Sequence, residues 1–242
     1  MRISRFYCPE LQTDTESFSL PAAAHRHAVQ VLRLKQGDRL RLFNGLGLEY
    51  DAELIDVTKR ESRVSLGTPL SIENESPLNI TLLQGISRGE RMDYALQKAV
   101  ELGVDRVIPI MTERCNVQLS GGRSDKRLAH WQGVMVSACE QSGRSILPEL
   151  TSIQTLEEAL LDSPASCKLV LDPLANIGFT AIEKTEDITL LIGPEGGLSE
   201  QEIIQANNSG FQSVRFGPRI LRTETATVAA LSVVQTLWGD LG

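Results

Sequence analysis

Two Gly-Pro pairs, each directly after a β-type run, constrain this chain more than any other feature. From Ile188 to Trp238 the order reads strand (Ile188 to Ile192), loop (Gly193-Pro194-Glu195-Gly196-Gly197), helix (Ser199 to Ser209) and strand (Ser213 to Phe216). A second loop (Gly217 to Thr225) and an apolar helix (Ala226 to Trp238) follow. Proline lacks the N–H a ladder needs and glycine lacks a Cβ, so each pair ends a strand and opens an irregular segment. Strands joined through a helix run parallel, so both segments reach one edge of one sheet, where α/β proteins bind ligands. Ser199 and Glu202 form an S-x-x-E capping box for the first helix. Thr223 or Thr225 is expected to cap the second.

Upstream, the grammar divides. Arg2 to Tyr7, Arg39 to Phe43, Leu48 to Asp56 and Arg63 to Leu66 read as short strands, with a helix from Ala22 to Leu32 after Pro21. Asn44-Gly45 between alternating runs signals a hairpin. These pieces predict a small β-barrel-like module over residues 1–72. A polar, proline-flanked stretch from Thr68-Pro69 to Ser76-Pro77 reads as a linker. From residue 73 to 242 strands alternate with helices: Asn79 to Gln84, Arg106 to Met111, Lys168 to Leu171 and the two strands above, with helices at Arg91 to Leu102, Asp125 to Gln141 and Leu156 to Leu161. Five such strands predict an α/β domain with a mainly parallel sheet. Ser87 with Glu90 suggests a capping box for the first helix, and Gly103 its stop.

The net charge of −7 argues against a generally nucleic-acid-coating protein, but it is unevenly spread. Residues 1–72 carry ten Lys and Arg against nine Asp and Glu, and the remainder fourteen against twenty-two, so a basic face is expected only in the N-terminal module. Cys8, Cys115, Cys139 and Cys167 are scattered without a C-x-x-C pair, which suits free thiols in a reducing cytosol and argues against structural zinc. The N-terminus lacks an apolar signal core, and the C-terminal apolar run is too short to span a bilayer.

The glycine loop matches neither the P-loop nor the G-x-G-x-x-G fingerprint. It offers a backbone-lined pocket able to take an adenine or an amino-acid moiety. The second loop crowds Arg219, Arg222 and Glu224 beside the same edge. Further polar clusters end other elements: Ser87 to Arg91, Thr112 to Asn116 and Glu140 to Arg144. Cys115 is poorly supported as a nucleophile, because His25 and His27 lie in the other module, and His130, beside Trp131 on a helix, reads as structural. The zinc-deaminase pattern is missing.

Leu190 to Leu198 and Leu221-Arg222-Thr223-Glu224-Thr225-Ala226 together resemble the ribosomal RNA small subunit methyltransferase E family, SPOUT-class enzymes. The likeness continues through Ser87-Arg88-Gly89-Glu90-Arg91-Met92, Gln97 to Gly103, Thr112 to Cys115, Ala138 to Arg144, His27 with Val31-Leu32-Arg33, and Phe43-Asn44-Gly45. It thus spans nearly the whole chain. The resemblance implies a PUA-like N-terminal β domain, a SPOUT domain with a deep trefoil knot, and a cytoplasmic homodimer. It implies an enzyme that uses S-adenosyl-L-methionine, without a metal or a membrane, to methylate N3 of uridine 1498 in 16S rRNA of the small ribosomal subunit. The cofactor would lie against Leu171, Ile192, Gly193, Pro194, Glu195, Gly196, Gly197 and Leu198 from the first loop's side. Gly217, Ile220, Leu221, Arg222, Thr223, Thr225 and Ala226 would close it from the second.

Uridine N3–H is a weak acid between two carbonyls, so methylation there needs a base for the proton and a clamp for the charge on O2 and O4. Arg222, then Arg88, Arg114 or Arg144, are the clamp candidates, and Glu224 or Glu195 the base. Phosphate contacts are expected from Arg2, Arg5, Arg26, His27 and Arg33, with help from Lys126 and Arg127.

Overall fold

The short alternating runs near the start of the chain pair into one sheet. The computed structural model describes residues 3–13, 16–71, 73–115 and 122–242, and the chain falls into two units. The first joins Met1–Glu75 to Cys139–Leu147, and the second joins Ser76–Ala138 to Pro148–Gly242. The first unit therefore holds a segment, residues 139–147, that a single cut near residue 72 does not assign to it.

In the first unit, β1 (Ser4–Tyr7), β2 (Ser17–Ser19), β3 (Arg39–Phe43), β4 (Glu49–Val57) and β5 (Ser62–Pro69) form a sheet in the order β1-β3-β4-β5-β2. Among the described residues only β1 and β3 pair in parallel in this sheet. Phe6, Leu40, Leu42, Leu54 and Val64 fill its core at zero exposure. α1 (Ala22–His25) continues as a π-helical stretch, Arg26–Val31, which ends before Arg33 at φ 59. The Asn44-Gly45 signal does mark the β3–β4 reversal, but as a longer loop. The Asn44 carboxamide oxygen accepts from Leu46 N (2.8 Å) and Leu48 N (3.1 Å), and so shapes it. The expected linker begins later than its polarity suggested, because Pro69 still pairs with Tyr50 at the end of β5. A strand end tolerates proline.

The C-terminal segment of the first unit is fixed by ion pairs. Arg144 Nε lies 2.8 Å from Glu75 Oε2, and Glu75 Oε1 accepts from the N–H of Ser145 and Ile146. Arg5 donates to Glu49 (2.7 and 2.9 Å) and to the carbonyls of Cys139 and Arg144. Burial alone would raise the Glu49 pKa, but hydrogen bonds from Arg5 and Ser145 hold it below the ordinary carboxylate value.

The second unit is a parallel sheet built from β6 (Asn79–Gly85), β7 (Arg106–Met111), β8 (Glu149–Leu150), β9 (Gln154–Thr155), β10 (Cys167–Leu171), β11 (Asp187–Ile192) and β12 (Gln212–Val214). Its order is β12-β10-β11-β6-β7-β8, with β9 also on β7. Among the described residues seven strands stand where five were expected. The additional β8 and β9 have two residues each, too few for a periodic signal. The helices are α2 (Glu90–Glu101), α3 (Arg123–Ser142), α4 (Leu156–Leu161), α5 (Glu200–Asn208) and α6 (Thr223–Trp238). One side of the core joins Leu83, Ile108, Val170 and Leu191 to Leu160 of α4 and Ala206 of α5. Elsewhere in this unit α2 packs against α6, and α6 against β11.

Two capping expectations need correction. α2 starts after Gly89 with no side-chain cap, because the Ser87 hydroxyl turns back to Gly85 O. α6 starts one turn earlier than its apolar run, with Arg222 as N-cap and no side-chain cap. Thr223 therefore sits inside the helix. The Ser199/Glu202 box is present in full, and Gly103 at φ 80 closes α2 with the paired bonds Val104 N to Ala99 O and Gly103 N to Val100 O.

Candidate active site at the carboxyl edge of the parallel sheet

Every strand of the second unit's sheet points the same way, so the segments after β6, β7, β10, β11 and β12 emerge at one edge. β6 and β11 are neighbours there. A Cβ on Gly85 would meet Pro194 Cδ at 2.6 Å and Gly193 C at 2.7 Å, so only glycine lets the 193–198 loop lie on the end of β6.

Side chains from three directions hold this loop. Glu195 Oε1 accepts from Arg88 N (2.9 Å) and Arg91 (3.0 Å). Burial alone would raise the Glu195 pKa, but these donors and its own N–H carry it below the ordinary value. Arg114 donates to Gly196 O (3.1 Å) and Leu198 O (3.3 Å). Glu202, buried in α5, accepts from Ser199 N and from Glu113 N, both at 2.8 Å, which ties the segment after β7 to the start of α5. Thr223 Oγ1 donates to Gly193 O at 2.7 Å. Behind it Gln84 Nε2 donates to Thr223 Oγ1 (3.1 Å), and Thr227 Oγ1 donates to Gln84 Oε1 (2.7 Å).

The two residues flanking Thr223 are thereby placed. Arg222 is exposed at the N-terminus of α6. Glu224 is half-buried, and its Oε2 is shielded from solvent with no hydrogen-bond partner among the described residues. Ile220, in the loop before α6, is 84 % exposed, an apolar side chain left uncovered at this edge. Leu171 and Ile192 end β10 and β11, and Gly217 and Leu221 lie in the loop between β12 and α6. Pro194 and Ala226 are buried, Gly197 and Leu198 half-buried, and Thr225 exposed.

Of the residues expected to act together, the structure brings Glu195, Arg88 and Arg91 into one cluster, and Arg114 onto the glycine-loop carbonyls. Arg144 is not in this group: it lies in the first unit, 4 % exposed and paired with Glu75. Arg5 likewise spends its guanidinium inside that unit, with a side chain 8 % exposed. Arg26, His27 and Arg33 are exposed on the helical segment and the turn after it, and His27 Nδ1 lies 4.0 Å from Glu140. Arg2 lies outside the described residues. In the second unit Lys126 is exposed and Arg127 half-buried on α3. Sequence reasoning passed over Gln84, Glu202 as a clamp, and Thr227. A carboxamide closing an apolar strand was the available signal for Gln84. Among the described residues no group of three potential metal ligands gathers, and no helix is long and apolar enough to cross a membrane.

Relatives of this chain are found among known proteins along its whole length. A family model described as an RNA methyltransferase domain matches residues 74–235, and one described as an RNA methyltransferase PUA domain matches residues 20–66. The chain is 34 % identical to ribosomal RNA small subunit methyltransferase E of Buchnera aphidicola, over 99 % of this chain and 98 % of that protein. It is similar to the crystal structure of a ribosomal RNA small subunit methyltransferase E from Neisseria gonorrhoeae bound to S-adenosyl methionine (43 % identity, all of both chains, TM-score 0.93). A Legionella pneumophila protein described as a methyltransferase and solved with the cofactor bound is 39 % identical over all of both chains, with a TM-score of 0.96.

Proposed function

Because this chain belongs to the ribosomal RNA small subunit methyltransferase E family, we propose that it uses S-adenosylmethionine to methylate N3 of uridine 1498 in 16S rRNA. The observation that carries this reading is the flanking of Thr223. One side chain fixes the start of α6 to the glycine loop, and a cation and a carboxylate stand on either side of it.

The residues present fit the cofactor. The glycine loop has its carbonyls of Gly193, Gly196 and Leu198 bound by Thr223 and Arg114, so its backbone is preset. Ile220 supplies an uncovered apolar contact for an adenine. When bound, S-adenosylmethionine supplies an electrophilic methyl group, so the chain need furnish only placement, a base and charge stabilisation. Arg222 binds the uracil oxygens, where negative charge grows as N3 is deprotonated, and the uncapped N-terminus of α6 adds its dipole. Glu224 takes the N3 proton, since its Oε2 is not engaged by another group. Glu195 and Arg114 are already committed to holding the loop, and serve binding rather than proton transfer. Arg88 and the cofactor-lining residues Leu171, Ile192 and Gly217 act from the same edge.

The first unit, residues 1–75 with 139–147, serves as the RNA-binding module, with Arg26, His27 and Arg33 as phosphate contacts, and the second unit as the catalytic domain. The placement of β11 between β10 and β6 supports a chain that doubles back through its own fold, the deep trefoil knot of SPOUT enzymes. Half-buried Val228, Ala229, Ser232 and Val233, with Thr225, Thr236 and Leu237 exposed, make a continuous stripe along α6 that suits a homodimer interface. A protein acting on ribosomal RNA works in the cytoplasm.

Mass-spectrometric mapping of 16S rRNA from cells lacking this chain tests the reading. One N3-methyluridine should be lost, then restored by the wild-type gene and not by Arg222→Ala. An unchanged modification map would refute it.

A further inference from the structure

Gln84, the penultimate residue of β6, has zero exposure, in a strand whose other buried side chains are apolar. A buried carboxamide is costly unless its groups are satisfied, and these are matched one by one. Nε2 donates to Gly85 O (3.2 Å) and Thr223 Oγ1 (3.1 Å), and Oε1 accepts from Thr227 Oγ1 (2.7 Å). A carbonyl can only accept, so Gly85 O fixes the amide with Nε2 toward Thr223 and Oε1 toward Thr227. Thr223, receiving a proton from Gln84, has its own hydroxyl proton left for Gly193 O (2.7 Å). A one-way series of donors thus runs from the end of β6, through the first residue of α6, to the first residue of the glycine loop.

Packing alone does not call for this arrangement, because leucine would fill the same space without a desolvation cost. We propose that Gln84 is a positioning residue for the methyl donor: it sets the donor direction of the Thr223 hydroxyl and so holds the glycine loop in its binding form. This rests on the reading of the loop as a cofactor site.

Calorimetric titration with S-adenosylhomocysteine, which binds without reacting, tests it on the full chain. Gln84→Leu should weaken binding about tenfold, the loss of one net hydrogen bond's worth of preorganisation, while affinity for an rRNA fragment stays unchanged. Gln84→Glu should bind more weakly still, because an ionised carboxylate only accepts and would draw the Thr223 proton away from Gly193 O. Thr223→Val should match Gln84→Leu, and Thr223→Ser should bind like wild type. The double variant Gln84→Leu/Thr223→Val should lose no more than either single, as expected for one coupled unit. If wild type itself does not bind S-adenosylhomocysteine, the proposed function fails and this role with it. If wild type binds and a folded Gln84→Leu binds equally well, the positioning role is overturned while the function stands. Should Gln84→Leu not fold, equal binding by Thr223→Val and wild type overturns the role.

Discussion

Two carboxylates stand at the carboxyl edge of the sheet in opposite surroundings. Glu195 is held ionised by the N–H of Arg88 and the guanidinium of Arg91. A carboxylate stabilised in this way is a poor proton acceptor at neutral pH. Glu224 has an oxygen shielded from solvent and with no hydrogen-bond partner among the described residues. Glu224→Gln should therefore lower the single-turnover rate by about 10²–10⁴-fold, the usual contribution of a general base. S-adenosylhomocysteine binding should stay near wild type. Glu195→Gln should do the reverse, loosening the loop and weakening cofactor binding more than it slows the chemical step. Rapid-quench kinetics with calorimetry separates the two, and an undiminished rate for Glu224→Gln would remove it as the base.

At the scale of elements, the meeting of the β6 end with the glycine loop depends on one missing methyl group. Gly85→Ala puts a Cβ against Pro194 N and within 2.7 Å of Gly193 C, so the overlap is with the loop backbone and not only with a movable side chain. It should cost about 1–3 kcal/mol, read as a lowered melting temperature, with cofactor affinity falling alongside. Much of this architecture was legible beforehand because it is local. Strand-then-Gly-Pro stops, the Ser199/Glu202 box and the Gly103 terminator each rest on a few neighbouring residues. The misses have the opposite character. The start of α6 is decided by Thr223 reaching Gly193, 30 residues away, and not by a cap. Ser87 is drawn to Gly85 and leaves α2 to begin after Gly89 without a side-chain cap. β8 and β9 exist only because β7 offers them an edge. Gln84 looked like the end of an apolar run because its partners, Thr223 and Thr227, lie 139 and 143 residues further along the chain. Arg144 resembled its neighbours in the polar clusters until Glu75 claimed it.

For the molecule as a whole, the acidic composition and an RNA substrate are reconciled by where the exposed cations sit. Arg26 and Arg33 are exposed in the N-terminal unit, whereas Arg5 is consumed by Glu49. Replacing Arg26 and Arg33 with alanine should weaken rRNA binding across sequences and reduce the slope of log K against log salt by about 1–2. Arg5→Ala should instead destabilise the first unit by about 3–5 kcal/mol, the penalty for orphaning a buried partner. Filter binding at several salt concentrations distinguishes them, and an unchanged slope for the double variant would place the phosphate contacts elsewhere.

The first unit is also made of two stretches of chain, and this bears on how it comes into being on the ribosome. Glu75 and its partner Arg144 are separated by 69 residues. At about 5–20 residues per second of synthesis, roughly 3–14 s pass between the appearance of one and of the other. During that interval the nascent N-terminal sheet exists without the segment that receives Arg5 and satisfies Glu75. Its completion waits until all of α3 has been made, so the assembly of the first unit is timed by the growth of the second.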